Sequence, residues 1–221
     1  MNFEQARFNM IEQQIRPWNV LDGEVLDLLS QVRREAFVPV AHQALAFADL
    51  ELPLRGSGEN GMCMLAPKVE ARMLQDLAVQ KHEKVLEIGT GSGYMAALLA
   101  QRAQRVITLE IDPELANLAR SNLSKVGITN VDVRQADGAK GTPADGPFDV
   151  IVLSGSVAEV PHKLLEQLKT GGRLMAIVGD APVMRATLIT RTSAAEYLST
   201  QGWDTLAPRL LNFPEHPRFS F

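Results

Sequence analysis

The stretch Val85 to Gly93 (VLEIGTGSG) concentrates the residues of this chain best suited to chemistry. An apolar strand runs into Gly89-Thr90-Gly91-Ser92-Gly93, and a helical pattern follows from Tyr94. Glycines at such a turn let the backbone bend tightly and come close to a ligand. Their spacing narrows the choice of ligand. Dinucleotide sites carry G-x-G-x-x-G, with a helix N-terminus facing a pyrophosphate. Here the third glycine comes one residue early, and Glu87 stands two residues before the first. A carboxylate in the crevice repels a pyrophosphate but suits an amino group or a sulfonium. The turn therefore favours S-adenosylmethionine over a nicotinamide cofactor.

Two later acids extend the set. Glu110, followed by Ile111, ends the next strand 17 residues after Gly93, where a carboxylate can accept from both ribose hydroxyls. Asp137-Gly138 follows the third strand, where a carboxylate can accept from an adenine amino group. Ser154 follows the fourth. A lone acid of this kind is ordinarily a solvated loop residue; acids at three successive strand ends beside a glycine turn are a site. The candidate donor site is Glu87, Gly89, Thr90, Gly91, Ser92, Gly93, Glu110, Ile111, Asp137, Gly138 and Ser154. No metal site is expected, because His42, His82, His162 and His216 are dispersed without ligand spacing. Cys63 lacks a Cys-His-Asn framework and reads as a small buried or loop thiol. Met62 and Met64 read as an apolar wall.

The elements that must position these residues follow from the apolar pattern. From Lys84, short apolar runs alternate with helical stretches. The strands expected are Val85 to Ile88, Arg105 to Leu109, Val131 to Val133, Asp149 to Leu153 and Arg173 to Val178. The helices expected between them are Tyr94 to Arg102, Pro113 to Val126 and Pro161 to Lys169. That grammar predicts an α/β fold: a Rossmann-like, doubly wound, mostly parallel sheet with helices on both faces and an N-terminal helical extension. Right-handed crossovers place the crevice at the carboxyl ends of the central strands. Upstream, residues 3 to 16 form an expected helix with Phe8, Ile11 and Ile15 on one face, ended by Pro17. A second helix is expected from Gly23 to Val32, with Val25, Leu28 and Leu29 inward, and a third from Lys68 to Ala78. Arg55 to Gly61 (RGSGENG) is loop chemistry. The tail from Ser193 is less regular, and Phe213 to Phe221 is expected on the surface. The division expected is 1–79 as a helical and substrate-loop region packed on the core, 80–192 as the donor-binding core, and 193–221 as an extension of the same domain.

Composition bounds the partners. The 221 residues allow one substantial core. A net charge of -4 gives no broad cationic field for a phosphate backbone, so no nucleic acid partner is expected. The single cysteine excludes an internal disulfide and fits a reducing compartment. The opening segment carries two acids and no long apolar run, so it is not expected to be a secretory signal, and no run of about 18 apolar residues offers a membrane span. A cytoplasmic protein with no membrane partner is expected.

The sequence resembles the protein-L-isoaspartate O-methyltransferase family along nearly its whole length. The resemblance rests on Arg34 to Pro39 (REAFVP), Leu52-Pro53-Leu54, Val85 to Tyr94 (VLEIGTGSGY), Phe148 to Pro161 (FDVIVLSGSVAEVP) and Leu165 to Gly179 (LEQLKTGGRLMAIVG). The glycine turn is shared by many methyltransferases; Leu-Pro-Leu and PHKLLEQLKTGGRL are more particular to this family. The resemblance implies a donor site around Glu87, Gly89, Gly91, Glu110 and Asp137, with S-adenosyl-L-homocysteine as product. It also implies repair of proteins and peptides by esterifying the free carboxylate of isoaspartyl sites. Ser154 stands where the family has threonine. The oligomeric state, monomer or homodimer, stays open.

One segment departs from the family. Members typically carry G-Q-T-I-S-x-P before the helix leading to the first core strand, with hydroxyls at the substrate carboxylate. This chain reads Gly61-Met62-Cys63-Met64-Leu65-Ala66-Pro67, with Cys63 for threonine and Leu65 at the expected serine position. Met62, Cys63, Met64 and Leu65 are the expected substrate residues, and no catalytic residue is assigned. The preceding loop is longer and adds Glu59, with Asn60 beside it. Two other readings stay open: a family member with a changed acceptor or weak isoaspartyl activity, and a dinucleotide-dependent oxidoreductase.

Overall fold

A computed structural model describes residues 2–55 and 62–216. Glu59, Asn60, Gly61 and the last residues of the tail lie outside the described residues.

Strands β3 (Lys84–Ile88), β4 (Arg105–Glu110), β5 (Val131–Gln135), β6 (Phe148–Val157), β7 (Leu168–Asp180), β8 (Val183–Arg191) and β9 (Tyr197–Thr205) form a seven-stranded sheet in the order β5-β4-β3-β6-β7-β8-β9. Pairing is parallel from β5 through β7 and antiparallel at β7–β8 and β8–β9. The central strands are apolar along their length because both faces are covered. Val85, Val106, Val150 and Met175 join the helices of the N-terminal half in one apolar cluster. The alternate residues Leu86, Ile107, Ile151 and Leu174 pack in a second cluster with Phe148 and Leu164. Chain order reverses at β3, which has β4 on one side and β6 on the other. Such a reversal splits the connections and leaves a crevice at the carboxyl ends of the strands.

Helices α4 (Tyr94–Arg102) and α5 (Pro113–Lys125) make the crossovers on this half, α5 starting at an Asp112 cap whose carboxylate accepts from Glu114 and Leu115 N–H groups. Ahead of the sheet come α1 (Phe3–Met10), α2 (Gly23–Gln31), a two-stranded hairpin of β1 (Leu52–Pro53) and β2 (Cys63–Met64), and α3 (Pro67–Leu77). Met10, Ile15, Leu29 and Leu74 share the cluster that holds Val85, so the N-terminal region and the sheet have a common core.

Several elements differ from expectation. The first helix passes into a π turn at Ile11–Ile15 and a 3-10 turn at Arg16–Trp18 that includes Pro17. Within α1 the inward face is already Arg7 and Met10, continued by Ile11 and Ile15, and Phe8 is 59% exposed. The helix expected over Pro161 to Lys169 is only α6 (His162–Leu165). Leu168 is instead taken into β7 beside Phe148, and the Gln167 side chain accepts from Thr142 N–H and donates to the Lys140 and Lys163 carbonyls. The tail from Ser193 is more ordered than its composition indicates: β9 extends the sheet beside β8, and Phe213, expected on the surface, is buried.

After β9 the chain returns as a strap across the carboxyl ends of the strands. Ser156 clasps it on three bonds, donating its N–H to Pro208 O at 2.7 Å and its hydroxyl to Ala207 O at 2.8 Å, and accepting from Leu210 N–H at 2.9 Å.

Candidate functional site

Glu87 sits in the middle of the sheet, flanked by Thr108 on β4 and Val152 on β6. Its side chain has no exposed surface. Thr108 Oγ1 donates to Oε2 at 2.7 Å and Ser154 Oγ to Oε1 at 2.8 Å, while Thr90 Oγ1 lies 2.6 Å from Thr108 Oγ1. Burial pushes the Glu87 carboxyl up to about 8, against the pull of both hydroxyls, and Glu70 and Glu110 push the same way. A group poised there holds a proton at neutral pH and gives it up when a cation arrives.

Glu110 closes the glycine turn from the neighbouring strand end. Gly91 N–H donates to its Oε2 at 2.8 Å and Asp112 N–H to its Oε1 at 3.0 Å. Burial raises this carboxyl, and the backbone amides of Asp112, Gly91 and Ile111 oppose it. Each oxygen has a second lone pair for a ligand hydroxyl. The turn itself has Gly89, Gly91 and Gly93 at φ of 90°, 54° and 85°, a region that side-chain-bearing residues avoid. Ser92 accepts from Tyr94 N–H at 3.4 Å through Oγ, and its carbonyl accepts from the buried Asn122 amide at 3.0 Å. Tyr94 opens α4 and packs edge-on against Phe37.

Two adjoining cavities share Cys63, Gly89, Gly91 and Ser154. One, about 70 Å³, is lined also by Leu54, Met62, Glu110, Ile111, Leu210 and Leu211. The more enclosed one, about 20 Å³, touches Met64, Leu65, Glu70, Glu87, Thr90, Ser92 and Tyr94. The structure thus gathers most of the expected donor and substrate residues at one crevice. Gly93, Asp137 and Gly138 do not line it. Asp137 is exposed, its Oδ1 accepting from Ala139 N–H at 3.0 Å and its Oδ2 from the Asn212 amide of the strap at 2.9 Å. Gly138 is closely enclosed, because a Cβ there would stand 2.2 Å from Ile88 Cγ2. Larger hollows of about 540 and 630 Å³ lie at the Pro143–Pro147 turn and beside Arg105–Asp132, and contain none of the expected residues.

The segment expected to face the substrate lies against this turn. Leu52 pairs with Met64 and Pro53 with Cys63, and Leu54 Cδ1 comes within 3.1 Å of where a Cβ on Gly91 would be. Leu65 is buried and offers only its backbone carbonyl, which accepts from Arg34 Nη2 at 2.7 Å. Cys63 Sγ lies 3.8 Å from Glu51 Oε2. Burial and that carboxylate push the thiol up to about 12, which argues against a nucleophile.

Sequence reasoning missed Thr108, Asn122, Leu210, Asn212, Glu70 and Arg34. Thr108 carried a usable signal, a lone hydroxyl between apolar residues of a buried strand, where it needs a partner. Leu210 and Asn212 carried none: Leu210 lines the crevice only through the path of the strap, and Asn212 meets Asp137 outside it. Among the described residues no group of three His, Cys, Asp or Glu side chains could hold a metal ion, and no helix is long and apolar enough to cross a membrane.

Residues 5–204 match the family described as protein-L-isoaspartate(D-aspartate) O-methyltransferase. Among similar proteins, the protein-L-isoaspartate O-methyltransferase 1 of Syntrophobacter fumaroxidans is 41% identical over 189 residues, 86% of either chain. The protein-L-isoaspartate O-methyltransferase of Methanoculleus marisnigri is 42% identical over 79% of this chain and 78% of its own. Among solved structures, a Plasmodium falciparum protein-L-isoaspartate O-methyltransferase in complex with S-adenosyl-L-homocysteine superposes with a TM-score of 0.78. That match covers 95% of this chain and 98% of that one, at 19% identity, and so speaks to the fold alone.

Proposed function

Since the chain belongs to the protein-L-isoaspartate O-methyltransferase family, we propose that it transfers a methyl group from S-adenosylmethionine to the free carboxylate of isoaspartyl residues in proteins. The observation that carries this reading is one crevice with a buried carboxylate at its floor, Glu110 at its rim and the Leu52–Met64 hairpin laid over its glycine turn.

The donor fits the residues present. Glu87 would face the cationic part and Glu110 the ribose hydroxyls, while Asp137, outside the cavity and held by the Asn212 amide, would have to release that amide to meet an adenine amino group. Arg209, also at the crevice, is committed to Asp180, Glu215 and the Gly179 carbonyl and offers no free charge that would repel a sulfonium. At about 70 Å³ the cavity is smaller than the ~300 Å³ usual for a bound small molecule, and Leu210 and Leu211 of the strap are among the residues that narrow it. When bound, the donor supplies an electrophilic methyl: an acceptor oxygen bonds to its carbon, the S–C pair returns to sulfur and a neutral thioether remains.

This chain's residues need only bind and orient. An isoaspartyl carboxyl, with an ordinary pKa of about 4, is ionised at neutral pH and requires no general base. Positioning in a dry pocket can contribute about 7–11 kcal/mol. Met62, Cys63, Met64 and Leu65 would form the wall on the acceptor side. A second reading, a changed acceptor, is favoured by one observation: the acceptor wall has Leu65 buried where a hydroxyl is expected, and Cys63 beside the Glu51 carboxylate.

The test is methyl transfer from labelled S-adenosylmethionine to an isoaspartyl peptide, with the aspartyl isomer as control. Base-labile label on the isoaspartyl peptide alone is expected. Donor binding without transfer would refute the isoaspartyl assignment and favour the changed acceptor.

A further inference from the structure

Arg34 has no exposed surface, and each nitrogen of its guanidinium has a partner. Nε donates to Ala46 O at 3.1 Å, Nη2 donates to Leu65 O at 2.7 Å, and Nη1 pairs with the Glu70 carboxylate. The same group stacks over the Tyr94 ring, 4.9 Å from its centroid. Leu65 leads from β2 into α3, Glu70 lies in the first turn of α3, and Tyr94 follows the glycine turn directly. Leu65, Glu70 and Tyr94 all touch the small cavity that Glu87 floors.

We infer that Arg34 is the positioning residue of the acceptor side, fixing the Cys63–Ala66 backbone against the donor turn through the Leu65 carbonyl. The inference rests on the methyl-transfer reading above. Stability alone gives a poor account of the arrangement, because a buried ion pair is often no more stabilising than an apolar pair of its size. Geometry gives a better one. A guanidinium presents donors in a rigid fork, so it can hold a carbonyl, a carboxylate and a second carbonyl in fixed relation. A lysine ammonium cannot span the three. This chain lacks the serine hydroxyl expected at Leu65, so the main chain must set the geometry of that wall, and Arg34 holds its nearest carbonyl. A displacement of about 1 Å in such a site can cost 10²-fold in rate.

The test uses Arg34→Lys and the double variant Arg34→Met with Glu70→Met, the second chosen so that no buried charge is left unpaired. Cys63, the single cysteine of the chain, reports the segment's packing by its alkylation rate, independently of turnover. In Arg34→Lys we expect kcat to fall roughly 10- to 100-fold, with the dissociation constant of S-adenosylmethionine within twofold of wild type and Cys63 alkylated at least several-fold faster. The double variant should melt near wild type and show the same kcat loss. Unchanged Cys63 alkylation in either variant, or a wild-type kcat in both, would overturn the inference. Should the wild type bind donor but leave isoaspartyl peptides untouched, the function reading falls, and the alkylation rates still decide the role of Arg34.

Discussion

Replacing Glu87 by glutamine tests the electrostatic core of the site. The carboxyl has an ordinary value of 4.5 and is raised to about 8 in the folded protein, chiefly by burial. Between those pH values the native state holds a proton that the unfolded chain has released. Native stability therefore falls as pH rises, by about 1.4 kcal/mol per unit. The contribution is fully present below 4.5 and is lost as pH climbs through about 8, a total of roughly 4–5 kcal/mol. Glutamine does not titrate. It can also keep both contacts, because one hydroxyl of Thr108 and Ser154 can rotate to donate to Oε1 while the other accepts from Nε2. Urea unfolding of both proteins at several values between pH 5 and 9 isolates this group together with its coupling to Glu70 and Glu110, since the remaining titrations are common to both. The stability difference, Glu87→Gln minus wild type, should grow by about 1.4 kcal/mol per pH unit up to about pH 8 and then level. Donor affinity should move oppositely: wild type should bind S-adenosylmethionine more tightly as pH approaches 8, and the variant should show no such rise. A stability difference that stays constant across the range would refute the assignment of a proton to Glu87.

Two further substitutions probe the acceptor wall and the donor turn. Leu65→Ser restores the expected hydroxyl and should raise isoaspartyl transfer by one to two decades, since a hydrogen bond to an anion contributes about 1.5–3 kcal/mol. The same change removes a buried side chain and should lower stability by about 2–5 kcal/mol, so initial rates and a melting curve are read together. Gly138→Ala puts a methyl 2.2 Å from Ile88 Cγ2, a clash that should cost about 1–3 kcal/mol and displace Asp137. Calorimetric titration should show weakened donor binding, and unaltered binding would remove Asp137 from the donor site.

The parallel half of the fold was legible because its signals are local. Buried parallel strands read as apolar runs, and the glycines between β3 and α4 mark a turn with positive φ at Gly89, Gly91 and Gly93. The acids at Glu87 and Glu110 were legible for the same reason, each fixed by its place at or near a strand end. Legibility ended where tertiary contacts decide. The helix expected after Pro161 stops at Leu165 because Gln167 and Leu168 have stronger uses elsewhere. The strap was invisible, since nothing in Ala207 to Asn212 announces that Ser156 will clasp it over Gly89. Asp137 was placed correctly at a strand end, yet it meets the strap's Asn212 rather than the crevice wall, a contact between residues far apart in sequence.

The departure at Cys63 and Leu65 takes a different meaning once packing is considered. From sequence, the loss of two hydroxyls reads as the loss of two side-chain contacts to a substrate carboxylate. In the fold, Leu65 is buried in the wall of the small cavity and its carbonyl is fixed by Arg34, while Glu70, in the first turn of α3, also pairs with the guanidinium. A hydroxyl at position 65 would have to share that buried volume. The apolar side chain and the held carbonyl are therefore one arrangement, in which orientation of the acceptor wall passes from a side-chain donor to the main chain. An isoaspartyl carboxylate needs alignment rather than a base, so such a wall can still serve methyl transfer as long as the backbone stays in register with the glycine turn.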